Sequence, residues 1–559
     1  MLLRKSHLFY RCGFIACALL LLAVSVVLVD GSVAWDESGL KLTANMLPVS
    51  LAYLAALGLT RRPLVALILA LALMFMVFAA NAAKVSHLGE PVTFPDIFLI
   101  EQALSAWTLA SKYISVWFYV AFALVLMLIG IGLYYERPMR HAVSWSLLGV
   151  SLLGFTYLAQ AEKSVDSLYS DTAHGAKPWI VSELALKQGL IASLVTSARV
   201  AHFTLPPYDN KQVGKLVAQY GLDQPLEVEQ VKPDIVLWLA ESFFDPAILQ
   251  GVDTCQFVPE YCELSRDSLV TALAVPTFGG NTTRTEFEVL TGIPFHSLGT
   301  QSFPYAAVVH DKFNSIGWTL AEQGYNTTAI HPHKAGFWQR NRALPLLGFE
   351  RFIASQNMTH IDKDGIWPSD DSLADSVVQL LAQAEQPQFI FTISMEGHGP
   401  FDKRDVLDNA ERDAIAPLPG LEGKLLDNWR QYIYHAKRSA RAMQKIKAFV
   451  ETRDRPTLVV YFGDHLPGLR PMFEVLQFKD GKKPYEQKTP AMAFANYELP
   501  DIWLPEASYE LGLWALALSG QTHTDHYSQL AAATGLAKGE RELDVGAALG
   551  DFRARQLYR

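Results

Sequence analysis

A chain of 559 residues with 50% hydrophobic and 18% charged side chains is too apolar for an ordinary soluble enzyme of this size. Its formal net charge of −9 and the lack of a basic low-complexity tract argue against a nucleic-acid partner. The apolar excess is concentrated ahead of residue 162.

Five stretches in that region read as membrane spans: 14–29, 44–59, 64–83, 116–134 and 142–158. The second carries Pro48 and the fifth several serines, so these two are the weakest by composition. Charge placement supports all five. Arg4, Lys5 and Arg11 precede the first span, Arg61 and Arg62 separate the second from the third, and Arg137 and Arg140 separate the fourth from the fifth. The alternate loops carry Asp30, Asp36, Glu37, Glu90, Asp96 and Glu101. The positive-inside rule then puts the amino terminus in the cytoplasm, and an odd number of spans exports everything after residue 160. No small-residue cleavage site follows the first span, which therefore reads as an anchor and not as a signal peptide. Segment 91–110 is interrupted by Pro95, Asp96, Glu101 and Gln102. It reads as an amphipathic stretch on the outer membrane face or as an ordinary exported helix.

Residues 162–231 read as a linker, with an amphipathic helix at 180–200 and a breaker at 205–210 containing Pro206 and Pro207. A third segment, 232–559, is long enough for a full core. Its strand candidates are 235–240, 327–330, 389–394, 457–462 and 491–495, alternating with helical patterns at 372–384 and 429–452. That alternation predicts an α/β domain with a largely parallel sheet. Cys12 and Cys17 read as small apolar fillers of the first span. Cys255 and Cys262 fall in the exported part, where oxidation is permitted, and could close a short loop.

Chemistry-bearing residues collect where the predicted strands end. Glu241-Ser242 follows the first strand and Asp464-His465 the fourth, so carboxylates and an imidazole arrive at the carboxyl ends, where open α/β sheets keep their sites. A carboxylate at the end of a buried strand needs compensation, and a metal ion is one form of it. The plainer reading of each alone is a capping residue. Gly279-Gly280 precede Asn281, Thr282, Thr283 and Thr285; paired glycines allow close backbone approach, and a hydroxyl opening the next helix lies where a phosphate binds favourably. His331 and His398 also follow strands within a few residues, and this convergence favours a metal-dependent enzyme.

The order and spacing of LAESF at 239–243, GGNTTRTEF at 279–287, AIHPHKAGFWQRN at 329–341, LGFERF at 347–352, HGPF at 398–401 and FGDH at 462–465 resemble the lipoteichoic acid synthase family of membrane phosphoglycerol transferases. That family lies in the alkaline phosphatase and sulfatase superfamily. The resemblance implies five transmembrane helices at 1–161, the linker at 162–231 and a catalytic domain of that type at 232–559. It places the metal carboxylate on Glu241, the nucleophile on Thr282, which also ligates, and the closing ligands on Asp464 and His465. The metal would be one divalent ion, manganese with zinc or magnesium as alternatives. The headgroup pocket falls on His331, Trp338 and Arg340, with His398 beside the transferred phosphate. Asn281 stands where the family usually has lysine, with Thr283 as the fallback nucleophile, and His333 stands where an acidic residue is common.

The activity so implied is a two-step transfer from phosphatidylglycerol to an extracytoplasmic glycan or polyglycerol phosphate, at a bacterial inner membrane. A phosphoethanolamine transferase acting on lipid A or a surface glycan would share the fold, metal and threonine. A sulfatase would need cysteine or serine in a C/S-x-P-x-R context, and the nearest match, 262–266, has Leu264 in place of proline. A non-catalytic envelope scaffold would be marked by a missing ligand, and the expected ligands are all present.

Overall fold

The computed structural model describes residues 2–33, 39–88, 90–99, 116–160, 163–172, 181–200, 232–298, 303–358, 361–401 and 406–521. They form two compact units that divide between residues 203 and 204.

The first unit contains α1 (Leu2–Val29), α2 (Leu40–Thr60), α3 (Pro63–Leu88), α4 (Val116–Tyr135) and α5 (His141–Ala159). All five are long and apolar enough to cross a membrane, and they coincide with the expected spans. The serines that weaken the fifth span as an apolar run have a structural use. Ser151 Oγ donates to Leu51 O at 2.8 Å and Ser144 Oγ to Gly58 O, joining α5 to α2 by the interhelical hydrogen bonds that replace hydrophobic drive inside lipid. The basic segments meet at one end of the bundle: Arg11 Nη2 donates to Arg137 O at 3.1 Å, Met139 N to Arg61 O at 2.7 Å and Arg62 Nε to Glu136 O at 2.9 Å. Alternating topology requires that arrangement.

At the ends of α1 and α2 away from Arg11 and Arg61, Asp30 accepts from Leu190 N at 2.7 Å, while Asn45 donates to Gln188 O at 2.7 Å and accepts from Ala192 N at 3.0 Å. The helix expected at 180–200 is thus two helices, Val181–Gln188 and Leu190–Val200, broken at Gly189 with φ +89°. Both pack with the first unit, in the part of the sequence read as a linker. The breaker at 205–210 and residues 100–110 of the amphipathic segment lie outside the described residues; the described part of that segment forms a short 3-10 helix, Phe94–Leu99.

In the second unit the strands are β1 (Asp234–Ala240), β2 (Leu269–Leu273), β3 (Asn326–His331), β4 (Arg351–Ala354), a small hairpin of β5 (Lys363–Asp364) and β6 (Trp367–Pro368), β7 (Gln388–Ile393), β8 (Thr457–Gly463) and β9 (Thr489–Ala495). The main sheet runs β2-β9-β8-β1-β7-β3-β4. The five strands from β8 to β4 are parallel, and β9 is antiparallel to both its neighbours. All five expected strands are present. The short edge strands β2 and β4 were not anticipated: β2 is only partly buried and β4 has four residues, too little for a period-2 signal.

Central strands are covered on both faces and so read as continuous apolar runs. Along β1, Ile235, Leu237 and Leu239 enter one core and Val236, Trp238 and Ala240 the other. Helix α6 (Thr283–Thr291) adds Phe287, Val289 and Leu290 to the first core, and α7 (Gly423–Glu451) adds Trp429, Tyr432 and Ile433 to the second. Cys255 and Cys262 are joined in a disulfide, Cα to Cα 5.2 Å.

Strand register positions the site. Ala240 of β1 lies opposite Gly463 of β8, so the next residues, Glu241 and Asp464, emerge side by side. Leu239 lies opposite Ile393 of β7, which brings Ser394 beside the same corner.

Candidate active site

Glu241 and Asp464 are both buried, and backbone and hydroxyl groups hold each in place. Glu241 N donates to Ser394 Oγ at 2.9 Å, and Ser242 Oγ donates to Glu241 Oε1 at 2.8 Å. Asp464 Oδ1 accepts from Ser242 N at 2.8 Å and His465 N at 2.9 Å. Ser242 has φ +57°, a strained turn that aims its amide at Asp464. The loops close tightly: a Cβ at Gly397 would lie 2.0 Å from Glu241 O, so only glycine permits that approach.

His465 Nδ1 lies 2.9 Å from Leu466 O. Taken as donor there, the neutral ring presents the lone pair of Nε2 inward, 3.2 Å from Asp464 Oδ2 and 3.6 Å from Glu241 Oε1. Burial lowers the His465 pKa and so favours that neutral ring. Asp464 is pushed well above the ordinary carboxylate range, first by burial and then by the neighbouring Glu241 charge. Asp464 Oδ2 and His465 Nε2 are buried polar atoms without a hydrogen-bond partner. With Asp464 ionised, these are two acceptors facing each other in a dry pocket, an arrangement that a cation between them would relieve.

The nucleophile candidate arrives on a turn that the glycines make possible. Gly279, Gly280 and Asn281 have φ of +71°, +154° and +63°, and the chain then enters α6. Thr282 Oγ1 donates to Glu241 Oε2 at 3.3 Å. Thr283 Oγ1 is buried without a partner, so of the two threonines it is Thr282 that touches the carboxylate.

Glu241, Asp464 and His465 each offer a ligand atom, all within 4.8 Å of one another. Two carboxylates, one imidazole and an adjacent hydroxyl form a hard-to-borderline donor set suited to manganese, zinc or magnesium. The two orphaned atoms are the ones such an ion would satisfy, so the residues fit a divalent metal. A second group, Asp364, Glu396 and His435, is equally close-set but already holds a cation. Arg438 Nε lies 2.7 Å from Asp364 Oδ2 and 3.0 Å from Glu396 Oε1. Its evident work is to anchor Glu396, whose Oε2 also accepts from Asp370 N at 2.7 Å, two residues before His398. Sequence reasoning passed over Glu396 and Ser394, and named Ser242 only as the neighbour of Glu241. Their one signal was position, each within three residues of a predicted strand end.

His331 closes β3. Its Nδ1 lies 3.1 Å from Ile393 O and its Nε2 3.2 Å from Arg340 Nη1, so it is a neutral ring accepting from arginine. Burial first, and Arg340 second, hold its pKa well below the ordinary range. Arg340 is fully buried, and its Nε lies 3.2 and 3.1 Å from the two oxygens of Glu286. Tyr305 also donates to Glu286, at 3.1 Å. Much of the donor capacity expected for phosphate therefore goes to an internal carboxylate. Trp338, at φ +56°, packs on Phe303 at 5.1 Å and Phe337 at 5.5 Å. A row of rings continues through Phe337 and His333 at 4.7 Å, His333 and Trp367 at 6.1 Å, and Trp367 and His398 at 4.9 Å. His398 Nδ1 lies 2.6 Å from Gly399 O. His333 is lowered to about 4, by burial first and then by Arg340 and His398.

The structure thus brings Glu241, Thr282, Asp464 and His465 into one cluster, pairs His331 with Arg340, and sets Trp338 and His398 at the two ends of the aromatic row.

Comparison with known proteins agrees with this architecture. Residues 233–509 match the family model described as Sulfatase. A putative cyclic beta-1,2-glucan modification protein from Rhizobium meliloti (strain 1021) is 31% identical over 276 residues, 47% of this chain and 42% of that protein; less than half of the relative's length is matched. Among solved structures, the Streptococcus pyogenes phosphoglycerol transferase GacH, in complex with sn-glycerol-1-phosphate, aligns with a TM-score of 0.53 at 18% identity, covering 63% of this chain and 94% of that one. The integral membrane lipooligosaccharide phosphoethanolamine transferase EptA from Neisseria meningitidis aligns with a TM-score of 0.54 at 12% identity, over 92% of this chain and 98% of that one. At such identities these two structures speak to fold. Five apolar helices are followed by a mostly parallel sheet with its acidic corner, and residues 233–509 are a sulfatase-type domain.

Proposed function

We propose that this chain is a metal-dependent phosphoglycerol transferase that moves the headgroup of phosphatidylglycerol to an extracytoplasmic glycan or polyol phosphate acceptor, through a phosphodiester on Thr282. The observation that carries the reading is the contact of Thr282 Oγ1 with Glu241 Oε2, 3.3 Å, beside the orphaned Asp464 Oδ2 and His465 Nε2.

Glu241, Asp464, His465 and Thr282 would hold the ion, which when bound supplies charge neutralisation and lowers the pKa of a hydroxyl beside it. In the first displacement the Thr282 Oγ–P bond forms as the bond from phosphorus to the diacylglycerol oxygen breaks. The threonine proton leaves along its hydrogen bond to Glu241 Oε2. With Nδ1 committed to Gly399 O, His398 gives the leaving oxygen a proton from Nε2. In the second displacement the acceptor hydroxyl returns a proton to His398 Nε2 and attacks phosphorus, and Thr282 recovers its own proton as the Oγ–P bond breaks.

Two features support glycerol over ethanolamine. The groups acting on His333 are cationic or neutral, namely Arg340, His398 and Lys334, and the nearby Glu286 is paired with Arg340. Among the described residues that act on His333 there is no unpaired carboxylate to receive an ammonium headgroup, whereas a polyol needs none. Five spans and a disulfide in the second unit support placement in a bacterial inner membrane with the catalytic unit outside the cytoplasm. Cys262 lies in that disulfide, which removes the nearest candidate for a sulfatase nucleophile.

The test is incubation of the full chain with phosphatidylglycerol and phosphatidylethanolamine carrying distinguishable headgroup labels. A glycerophosphate adduct on native protein, absent in Thr282→Ala, is expected. An ethanolamine phosphate adduct would select the other headgroup, and equal diacylglycerol release by Thr282→Ala would remove Thr282 from the mechanism.

A further inference from the structure

The two loops that carry the metal ligands away from the sheet pair with each other. The segment after Glu241 meets the segment after His465 through Lys479 N to Ile248 O at 2.9 Å and Gln250 N to Gln477 O at 2.9 Å. Both therefore project from the ligand-bearing end of the sheet. The tip of the second loop, 475–488, has an unusual surface. Among the described residues of the second unit, the exposed large apolar side chains are Val270, Leu407, Val475 and Tyr485. The last three lie in loops that leave the sheet at this end, two of them on the tip.

Interleaved with Val475 and Tyr485 are four exposed lysines, Lys479, Lys482, Lys483 and Lys488. The two acids of the tip are used internally. Asp480 Oδ1 accepts from Lys482 N at 3.0 Å and Gln487 Nε2 at 2.8 Å, and Glu486 Oε2 accepts from Lys483 N at 3.0 Å. Lys482 reaches Asp480 at 3.5 Å, while Lys479, Lys483 and Lys488 form no ion pair among the described residues. The turn is thus rigid and presents basic charge around a tyrosine, in a chain whose net charge is −9.

We propose that the 475–488 tip seats on an anionic lipid surface, Tyr485 and Val475 entering the headgroup layer and the lysines meeting lipid phosphates, so that the ligand-bearing end of the sheet is held at the level of lipid headgroups. Tyrosine is the side chain suited to that depth, and lysines are drawn to an anionic leaflet. A soluble polyanion would match the lysines but leave Val475 and the Tyr485 ring, which meets only the Lys483 ammonium at 5.9 Å, in water, so the exposed apolar pair decides for lipid. The proposal rests on the reading above that the donor is a bilayer lipid, but its primary readout needs no turnover.

The experiment uses full-length protein in nanodiscs of phosphatidylcholine with phosphatidylglycerol as the anionic lipid. Cys12 and Cys17 are replaced by serine, and an environment-sensitive fluorophore is attached at Tyr485→Cys or, as control, Glu498→Cys. Glu498 is exposed and follows β9 at the opposite end of the sheet. Lipids spin-labelled near the headgroup should quench the probe at 485 and spare the one at 498. Adding Lys479→Glu, Lys482→Glu and Lys483→Glu should abolish that quenching, since each lysine contributes about fivefold to such a contact. The same triple variant should lose activity on bilayer donor and keep it on a short-chain, monomeric donor. An unquenched 485 probe, equal quenching at 498, or a probe shielded by soluble polyphosphate and not by lipid would each overturn the assignment. Quenching at 485 without any headgroup transfer would leave the tip in place and overturn the enzymatic reading alone.

Discussion

Arg340 offers the sharpest separation between a residue that binds substrate and one that holds the fold. Its guanidinium and the Glu286 carboxylate are 2% and 0% exposed, and Arg340 is also hydrogen-bonded to His331. Arg340→Met removes the charge at similar volume and strands Glu286 with Tyr305 as its remaining side-chain donor. Breaking a buried pair on one side costs about 3–5 kcal/mol. With Tyr305 still donating, about 3 kcal/mol is the better figure, or roughly 5 °C in the melting transition of a domain of this size. Adding Glu286→Gln removes the stranded charge and should bring stability back to within about 1 kcal/mol of native. The assay is thermal unfolding of the full chain in detergent, followed by the fluorescence of the second unit, with headgroup transfer measured in parallel. The double variant should recover the melting transition without recovering transfer, because His331 has still lost the donor that orients it. If Arg340→Met alone melts within about 1 °C of native, Glu286 is not a buried anion dependent on arginine, and the argument from burial fails.

The remaining predictions concern the metal cluster and the histidines. His465→Gln should lower bound metal in elemental analysis and remove the stabilisation that added manganese or zinc gives native protein, about 2.7 kcal/mol at a hundredfold excess over the dissociation constant; an unchanged melting shift would show that the ion binds elsewhere. Because His333 is lowered to about 4 from 6.5, the native state binds fewer protons than the unfolded chain between those values. Its contribution is therefore complete above about pH 6.5, declines as pH falls toward 4, and changes no further below that. His333→Gln should flatten the fall in melting temperature across that window, and superimposable native and variant profiles would contradict the assigned environment.

Much of this protein is written locally. Apolar runs of span length with arginines on alternate loops determine α1 to α5, because lipid forces every backbone polar group into a helix. Central strands announce themselves as Val/Ile/Leu/Phe runs, because both sheet faces are covered. The residues at their ends, Glu241, His331, Asp464 and His465, were legible for the same reason, since a polar group directly after a buried strand stands out in one dimension. The edge strands β2 and β4 were not legible: four or five half-exposed residues give no periodicity, and only pairing with β9 and β3 makes them strands.

Tertiary structure alone decided how these residues are used. That Glu241 and Asp464 stand side by side follows from the pairing of Ala240 with Gly463, strands separated by more than two hundred positions in the chain. That Thr282, and not Thr283, meets Glu241 depends on three successive positive φ angles ahead of α6. Arg340 looked like an open phosphate donor until the fold supplied Glu286, fifty-four residues earlier, and Asp364, Glu396 and His435 looked like nothing until the fold brought Arg438 between two of them. Sequence carries the chemical identity of each group; charge compensation in a low-dielectric interior is a property of neighbours, and neighbours are known only once the chain has folded.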